Sequence, residues 1–310
     1  MRMSVVVRQL IDSPHELGLS ANSGPAGVFL LPSLMDMWQK TLGWNGVCVT
    51  SGSTSLVGFE KSTAAGKIFF SMPYGGYGGV LGGGKGNDCS EIFDWLRSRR
   101  YLQENIVQFQ HQSSEFPDTY YRNKLTAHIV DLTSSLLEYS DNTKRNVKKA
   151  QEQGLQILKL NESDKKGYLE LLQSHQKRTG EVRRLPEICY QYLLAKSEQP
   201  DSGISIIAAV GKSGAQCVHI YFATETDAFY FDGFSTQDGL DAGANFLLLD
   251  AMIAKYRESR VQRLNLGATP PLDKGLKRFK DGWGALEVKY TEYVRRSQIK
   301  RFIDFMTRVR

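Results

Sequence analysis

The chain has 310 residues, 41% hydrophobic and 23% charged, and a formal net charge of +6 from 39 Lys+Arg against 33 Asp+Glu. That length exceeds the usual size of one hydrophobic core, and the composition is that of an ordinary globular protein, so a long disordered region is excluded and two domains are expected. The modest basic excess suits an anionic small molecule, a lipid-linked phosphate or tRNA, and is too sparse to indicate stable DNA binding.

The opening MRMSVVVRQL holds three consecutive valines, interrupted by Arg8, and reads as a first strand. It is too short for a signal-peptide core, and no apolar run has the length of a membrane span, so a cytoplasmic protein is expected. VFLLPSLMDMWQKTLGW reads as a strand end and then a helix, with Ser33 as N-cap, Asp36 three residues on, and an apolar stripe of Leu34, Met37, Trp38 and Leu42. GVCVTSGSTSLVGFEK reads as a hairpin, KIFFSMPYGGYGGVLGGGKG as a strand entering a glycine-rich loop, CSEIFDWLRSRRY as a helix and ENIVQFQHQ as a strand. This alternation signals an α/β unit over residues 1–130.

A second unit is expected over residues 131–295. LLEYSDNTKRNVKKAQEQG reads as a helix ended by Gly154, LQILKL as a strand, SDKKGYLELLQSHQKRTG as a helix ended by Gly180, and LPEICYQYLLAKSE as a helix with Pro186 in its first turn. GISIIAAVG, AQCVHIYFAT and AFYFDGFST follow as strands, then the helix GANFLLLDAMIAKYRES, the strand RLNLGA and the strand ALEVKYTEYV. In SQIKRFIDFMTRVR, which makes up nearly all of the segment 296–310, Ile299, Phe302, Ile303 and Met306 fall at helical spacing. Such a face buries against something, and a helix docking on the first domain is expected.

Several segments are candidates for chemistry. GVLGGGKG nearly matches a phosphate-binding loop, but Gly86 stands where the hydroxyl that holds Mg²⁺ should be, so a nucleotide-hydrolase site is rejected. In SMPYGGYGG, Tyr74 and Tyr77 stand among glycines that let a ligand approach, and either wall a substrate or pack inward. Arg145 and Lys148 lie in the basic helix TKRNVKKA, which is either a solvated face or an anion clamp. FDGFSTQDGLDAGANFLLLDAM reads as strand, glycine-containing loop and helix. It would present the backbone N–H groups around Gly243, Ala244 and Asn245 to an anion, with Asp232 near the mouth.

Cys48, Cys89, Cys189 and Cys217 are far apart and form no CxxC pair, so reduced, packed thiols are expected and no metal site. His15, His111, His128, His175 and His219 are scattered, and none sits in a nucleophile elbow. PLDKGLKRFKDGWG, residues 271–284, looks too polar for a core and too aromatic for a plain loop.

Taken in order, LLEYSDNTKRNVKKAQEQGL, SHQKRTG, FYFDGFSTQDGLDAGANFLLLDAM, LNLGA and GLKRFKDGWG resemble the second domain of the Fem-type transferases and their acetyltransferase-like relatives. VFLLPSLMDMWQKTLGW and SMPYGGYGG resemble the first domain of that family. The resemblance covers nearly the whole chain and lies in the order of the motifs. It implies an α/β fold with mixed sheets, made of two tandem domains of the GNAT acyltransferase fold with a cleft near their junction. It also implies transfer of an acyl or aminoacyl group to an amine of a peptidoglycan or polysaccharide precursor.

The resemblance assigns Lys280, preceded by Phe279, to stabilising charge in the transition state. Amine attack on an ester or thioester places negative charge on oxygen, which an ammonium in a dry site can stabilise. Phe279 would exclude water, Tyr74 and Tyr77 would line the acceptor side, and Arg145 and Lys148 would clamp acceptor phosphates. Asp232 or a substrate phosphate would take the amine proton. No permanently bound cofactor is expected. The donor is aminoacyl-tRNA or acyl-CoA, and the sequence leaves the choice open. KRTG is followed by one helix where tRNA-using members often carry a helical hairpin, and STQDGLDAGAN does not spell the CoA-binding pattern. An acyl-CoA-dependent N-acetyltransferase of an amino sugar or amino acid, and a non-catalytic binding protein of the same fold, are the alternatives.

Overall fold

The computed structural model describes residues 5–9, 24–82, 89–109, 116–180 and 185–308. The expected loop around Lys85 and Gly86, together with His15 and His111, therefore lies outside the described residues. The chain divides into two compact units, one of residues 1–125 with 289–310 and one of residues 126–288.

In the first unit, β1 (Val6–Gln9), β2 (Asn45–Ser51), β3 (Thr54–Thr63), β4 (Gly66–Phe70), β6 (Gln103–Gln108) and β13 (Leu286–Arg296) lie side by side in that order, and β5 (Val80–Gly82) pairs with β3. Only β4 and β6 run parallel. Val49, Leu56, Phe69 and Ile106 of this sheet share a core with Ile92 and Leu96 of helix α2 (Ser90–Ser98). Helix α1 (Pro32–Leu42) buries Leu34, Met37 and Trp38, the stripe that the spacing predicts. It starts two residues earlier than expected: Leu31 is the N-cap and Pro32 the first helical residue, so Ser33 sits inside the first turn. Proline at that position is preorganised for a helix and loses no needed N–H. Gly24–Leu30 forms a 3-10 helix where a strand end was expected. Short apolar runs carry too little periodicity to separate the two.

In the second unit the strand order is β7 (Tyr121–Asp131, through its residues 126–131), β12 (Arg263–Ala268), β11 (Asp227–Ser235), β10 (Gly214–Ala223), β9 (Ile204–Gly211) and β8 (Gln156–Lys159). Only β11 and β12 run parallel. Helix α7 (Ala244–Glu258) covers one face, sharing a core with Ile207, Ala209, Cys217 and Tyr221, and α3 (Asp141–Glu152) packs against α7. Ile206, Ala208, Val218 and Ile220 are equally buried. They alternate to the other face, where α4 (Lys165–Thr179) and α5 (Glu187–Ser197) supply Tyr168 and Tyr190 to the ring of Phe234. Burial on both faces explains why these strands read as nearly unbroken apolar runs.

Three local expectations are corrected in this unit. Helix α3 begins at Asp141, where the Ser140 hydroxyl accepts from the Thr143 N–H at 3.2 Å, several residues after the predicted start. Residues expected as a loop after β11 form helix α6 (Gln237–Ala242), capped by Thr236. The PLDKGLKRFKDGWG segment contains helix α8 (Lys274–Asp281), with Asp273 accepting from the Leu276 N–H at 2.8 Å. In the first unit, helix α9 (Gln298–Arg308) forms as predicted, but of the face expected to be buried only Ile303 is half-buried, while Ile299, Phe302 and Met306 are exposed.

Candidate functional site

The site is built on the fork between β11 and β12. Their parallel pairing runs from Asp227↔Arg263 to Phe229↔Asn265 and stops there, although β11 continues to Ser235 and β12 to Ala268. Beyond that point β12 bulges in its register with β7, between Asn265 and Ala268. The bulge has a local cause. Gly267 takes φ +79°, a left-handed conformation that suits glycine, and its N–H donates to Asn265 Oδ1 at 2.8 Å.

Lys280 closes this turn. Its ammonium donates to the Gly267 carbonyl at 3.0 Å and the Ala268 carbonyl at 2.7 Å, and the residue is 3% exposed. The sequence makes α8 deliver it there. Leu276, Phe279, Lys280 and Trp283 recur at i, i+3, i+4 and i+7, so a lysine occupies a position on the inward stripe of the helix. Phe279 packs edge-on against Phe246, at 5.2 Å between centroids, and against Trp283, which Tyr139 also meets edge-on at 4.9 Å. These rings form an apolar cluster along α8, and the burial of Lys280 itself makes its electrostatic interactions stronger than in water.

His128 stands on β7 next to this cation. Its Nδ1 lies 3.2 Å from the Thr269 hydroxyl and its Nε2 lies 3.5 Å from Asp281 and 4.0 Å from Glu287. Burial, and next the charge of Lys280, push His128 below the ordinary imidazole range, which favours the neutral ring. His128, Asp281 and Glu287 are the one group of metal-type donors gathered among the described residues. The Lys277 ammonium already pairs with both carboxylates and supplies the countercharge a cation would bring.

The N-terminus of α7 is the second part of the site. Gly243, at φ +77°, joins α6 to α7, and its N–H donates back to the Gly239 and Leu240 carbonyls. A Cβ on Gly243 would lie 2.9 Å from the Asn146 carbonyl of α3, so this glycine is what lets the two helices approach. Ala244 is fully buried beside it. Asn245 turns its side chain inward: Oδ1 accepts from Cys217 Sγ at 2.9 Å and from His219 Nε2 at 3.2 Å, while His219 Nδ1 lies 2.9 Å from the Tyr221 hydroxyl. Burial keeps His219 neutral, depressing its pKa to about 4 against the opposing effect of the Asn245 hydrogen bond. The Asn245 amide is thereby a structural group inside the sheet–helix interface.

Arg145 and Lys148 project from α3 into solvent, Arg145 donating to Asn142 Oδ1 at 2.9 Å and Lys148 lying 3.8 Å from Glu152. Helix α3 packs on α7 through Asn146 and Ala150, and its start meets the end of α8, where the Ser140 N–H donates to the Gly282 carbonyl at 2.9 Å; the two cations stand on its solvent side. Asp232 lies on β11, opposite Ile220 at a bulge in β10. It accepts from the Tyr190 hydroxyl at 2.5 Å and from the Gly233 N–H at 2.9 Å. The buried Tyr168 phenol is pushed well up by burial and then by the negative charge of Asp232.

The two tyrosines belong to the first unit. Tyr77 is 1% exposed, packed among Phe29, Phe109 and Tyr290, and therefore part of that unit's aromatic core. Tyr74 takes φ +52° and stacks on Trp38 and Trp44. Sequence reasoning missed His128 and Asn265. His128 carries no local motif, and Asn265, although it lies within LNLGA, shows no local sign of its role, because β7 and the bulge bring them to Lys280 only in three dimensions. All four cysteines are free and buried. No described helix is long and apolar enough to cross a membrane.

No protein-family model and no curated sequence matches the chain. Solved structures do. A structure of FemX superposes with a TM-score of 0.67 at 11% identity, covering 93% of this chain and 97% of that one. The C-terminal domain of a putative lysylphosphatidylglycerol synthetase from Agrobacterium fabrum gives 0.62 at 12% identity, over 96% and 97%. L-PGS from Bacillus licheniformis gives 0.59 at 14% identity, over 94% and 95%. A tandem GNAT protein from the clavulanic acid biosynthesis pathway gives 0.51 at 9% identity, over 94% and 98%. At these identities the likeness is one of fold: the chain is a mixed α/β protein with the tandem GNAT, or acyl-CoA N-acyltransferase, architecture.

Proposed function

We propose that the chain is an N-acyltransferase that moves an acyl or aminoacyl group from an activated ester or thioester onto an amine of an anionic cell-envelope precursor. The observation that carries this reading is Lys280, a buried ammonium locked by two backbone carbonyls at the open end of the β11–β12 fork. Preorganised charge is most effective where water is excluded and no reorganisation is needed as charge develops.

In the reaction, the amine lone pair attacks the carbonyl carbon and forms the C–N bond. The carbonyl π electrons move to oxygen, which becomes the alkoxide stabilised by the field of Lys280. Collapse of that intermediate expels the tRNA hydroxyl oxygen or the CoA thiolate, and the new ammonium gives up a proton. Asp232 is the proposed acceptor of that proton, and a carboxylate accepting from Tyr190 and Gly233 keeps further lone pairs for it. Arg145 and Lys148 are exposed cations suited to the phosphates of such an acceptor. FemX and the lysylphosphatidylglycerol synthetases, which share the fold, make an envelope acceptor the first choice.

The fork also favours a second donor. Strands that diverge after Phe229 and Asn265 offer backbone edges to which an extended, amide-bearing arm such as that of acyl-CoA can add as a strand. Calorimetric titration of CoA and of aminoacyl-tRNA into the protein separates the donors, since only the true donor saturates a site. Amine-dependent consumption of that donor, lost in Lys280→Met, is the expected result. Equal rates in both proteins would remove Lys280 from the mechanism.

A further inference from the structure

Helix α9 is amphipathic in the wrong sense for a helix that completes a core. At 3.6 residues per turn, Phe305, Phe302, Met306 and Ile299 follow one another around about 120° of its circumference. These four side chains are 64%, 65%, 50% and 62% exposed. The polar side is the one turned inward. Lys300 and Asp304 form an ion pair with side chains only 22% and 27% exposed, and Arg296 lies 3.6 Å from the same carboxylate. Contiguous exposed apolar surface of this kind marks a contact surface.

A cavity of about 360 Å³ in the same unit ends at this helix. Thr119, Tyr121, Asn123, Val294, Arg296 and Arg301 line it. Val294 is its buried apolar member, and its polar groups are two guanidiniums, a carboxamide, a phenol and a hydroxyl; the carboxylates next to it, Asp304 by Arg296 and Glu292 by Asn123, are not among its lining residues. Arg295 is not available to it, because Arg295 pairs inward with the buried Glu104. Arg301 belongs to both features: it lines the cavity and borders the apolar arc next to Phe305. From residue 295 on, the sequence carries Arg295, Arg296, Lys300, Arg301, Arg308 and Arg310 against Asp304 alone.

We propose that α9 is an interfacial anchor that docks the protein on an anionic phospholipid surface. Phe302, Phe305, Met306 and Ile299 enter the boundary between headgroups and acyl chains, and Arg296 and Arg301 take a lipid phosphate in the adjoining cavity. An interfacial helix needs this combination of an outward apolar face and flanking cations. Guanidinium pairs suit phosphate oxygens because each presents a planar fork of donors. A second protein surface fits less well. Four side chains at this exposure offer about 400 Å² of apolar area, half of the roughly 800 Å² that each partner contributes to a standard interface. The anchor does not depend on the transfer chemistry proposed above.

The test is co-sedimentation of the purified full chain with vesicles of phosphatidylcholine alone and of phosphatidylcholine mixed with phosphatidylglycerol. Binding is expected to the mixed vesicles and to be weakened by salt. Phe302→Ser/Phe305→Ser should abolish it. Arg296→Gln/Arg301→Gln should weaken it about tenfold or more and erase the preference for anionic lipid. All four substituted residues are exposed, and circular dichroism checks that each variant is folded. A Phe305→Trp variant gives an independent signal, a blue-shifted emission on the mixed vesicles. Absence of binding by the unmodified protein would overturn the proposal, and so would equal binding by Phe302→Ser/Phe305→Ser. Self-association that vanishes in that variant, with no vesicle binding, would assign the face to a second copy of the chain and also overturn it.

Discussion

Replacing Lys280 by methionine keeps the length of the side chain and deletes its charge. The Gly267 and Ala268 carbonyls then lose their donor in a position where Lys280 is 3% exposed. The buried Gly267 carbonyl left without a partner costs about 1–3 kcal/mol, the exposed Ala268 carbonyl can turn to water, and relief from desolvating an ammonium offsets part of the cost. A net loss of about 1–3 kcal/mol of stability is expected, read as a lower urea midpoint for the second unit. The catalytic loss should be separate and larger. Removing a preorganised charge from a developing oxyanion costs about 100- to 1,000-fold in kcat, measured in single-turnover transfer with donor saturating. Lys280→Arg, which keeps the charge but not the point geometry, should recover stability more than rate. If Lys280→Met changed neither the midpoint nor the rate, the argument from the β12 bulge to function would be refuted. A change in the midpoint alone would leave Lys280 as a structural pin.

Three further outcomes are expected. His219 is fully buried with a folded pKa of about 4 against an ordinary value of 6.5, so the unfolded chain takes up a proton that the folded protein refuses as pH falls through that window. Stability present above pH 6.5 should therefore fall by about 3 kcal/mol on acidification to pH 4, and urea midpoints for His219→Gln should be flatter over that range; parallel curves would contradict the assignment. Gly243→Ala forces a left-handed backbone on a residue with a Cβ and sets that atom 2.9 Å from the Asn146 carbonyl, so a loss of about 2 kcal/mol or more is expected in thermal unfolding, and an unchanged midpoint would mean that α3 and α7 are not apposed there. Asp232→Asn should lower kcat by about 100-fold or more and remove the acidic limb of the pH–rate profile, whereas Tyr190→Phe, which deletes only a donor to that carboxylate, should keep the limb; an intact limb in Asp232→Asn assigns the carboxylate to structure.

Most elements were legible because their sequence signals are local. The strands β8 to β12 are apolar runs bounded by turn residues, α4 ends at Gly180 in a left-handed conformation, and α1 carries its apolar stripe at helical spacing. Failures came where a local signal was ambiguous or was read with the wrong period. Residues 237–243 hold two glycines, Gly239 and Gly243, and look like a loop, yet Thr236 caps a helix there. In α8, lysines and glycines mask an i, i+3, i+4, i+7 stripe whose third member is a lysine, and a buried lysine is what pattern reading is least prepared to accept.

The sequence by itself determined the mixed α/β elements and the amphipathic character of residues 298–308, because propensity, capping and periodicity act over a few residues, and it offered Lys280 only through the resemblance of GLKRFKDGWG to the Fem-type transferases. Only the tertiary structure decided which face of each element meets water. It buried Lys280 by giving it the carbonyls of a bulge thirteen and twelve residues away, turned the Asn245 carboxamide onto His219 and packed Tyr77 into an aromatic core. It also left Phe302 and Phe305 of α9 exposed while seating the Lys300–Asp304 pair inward. The reason is that exposure is a property of the neighbours, and those neighbours are set by strand order and by packing between residues far apart in the chain.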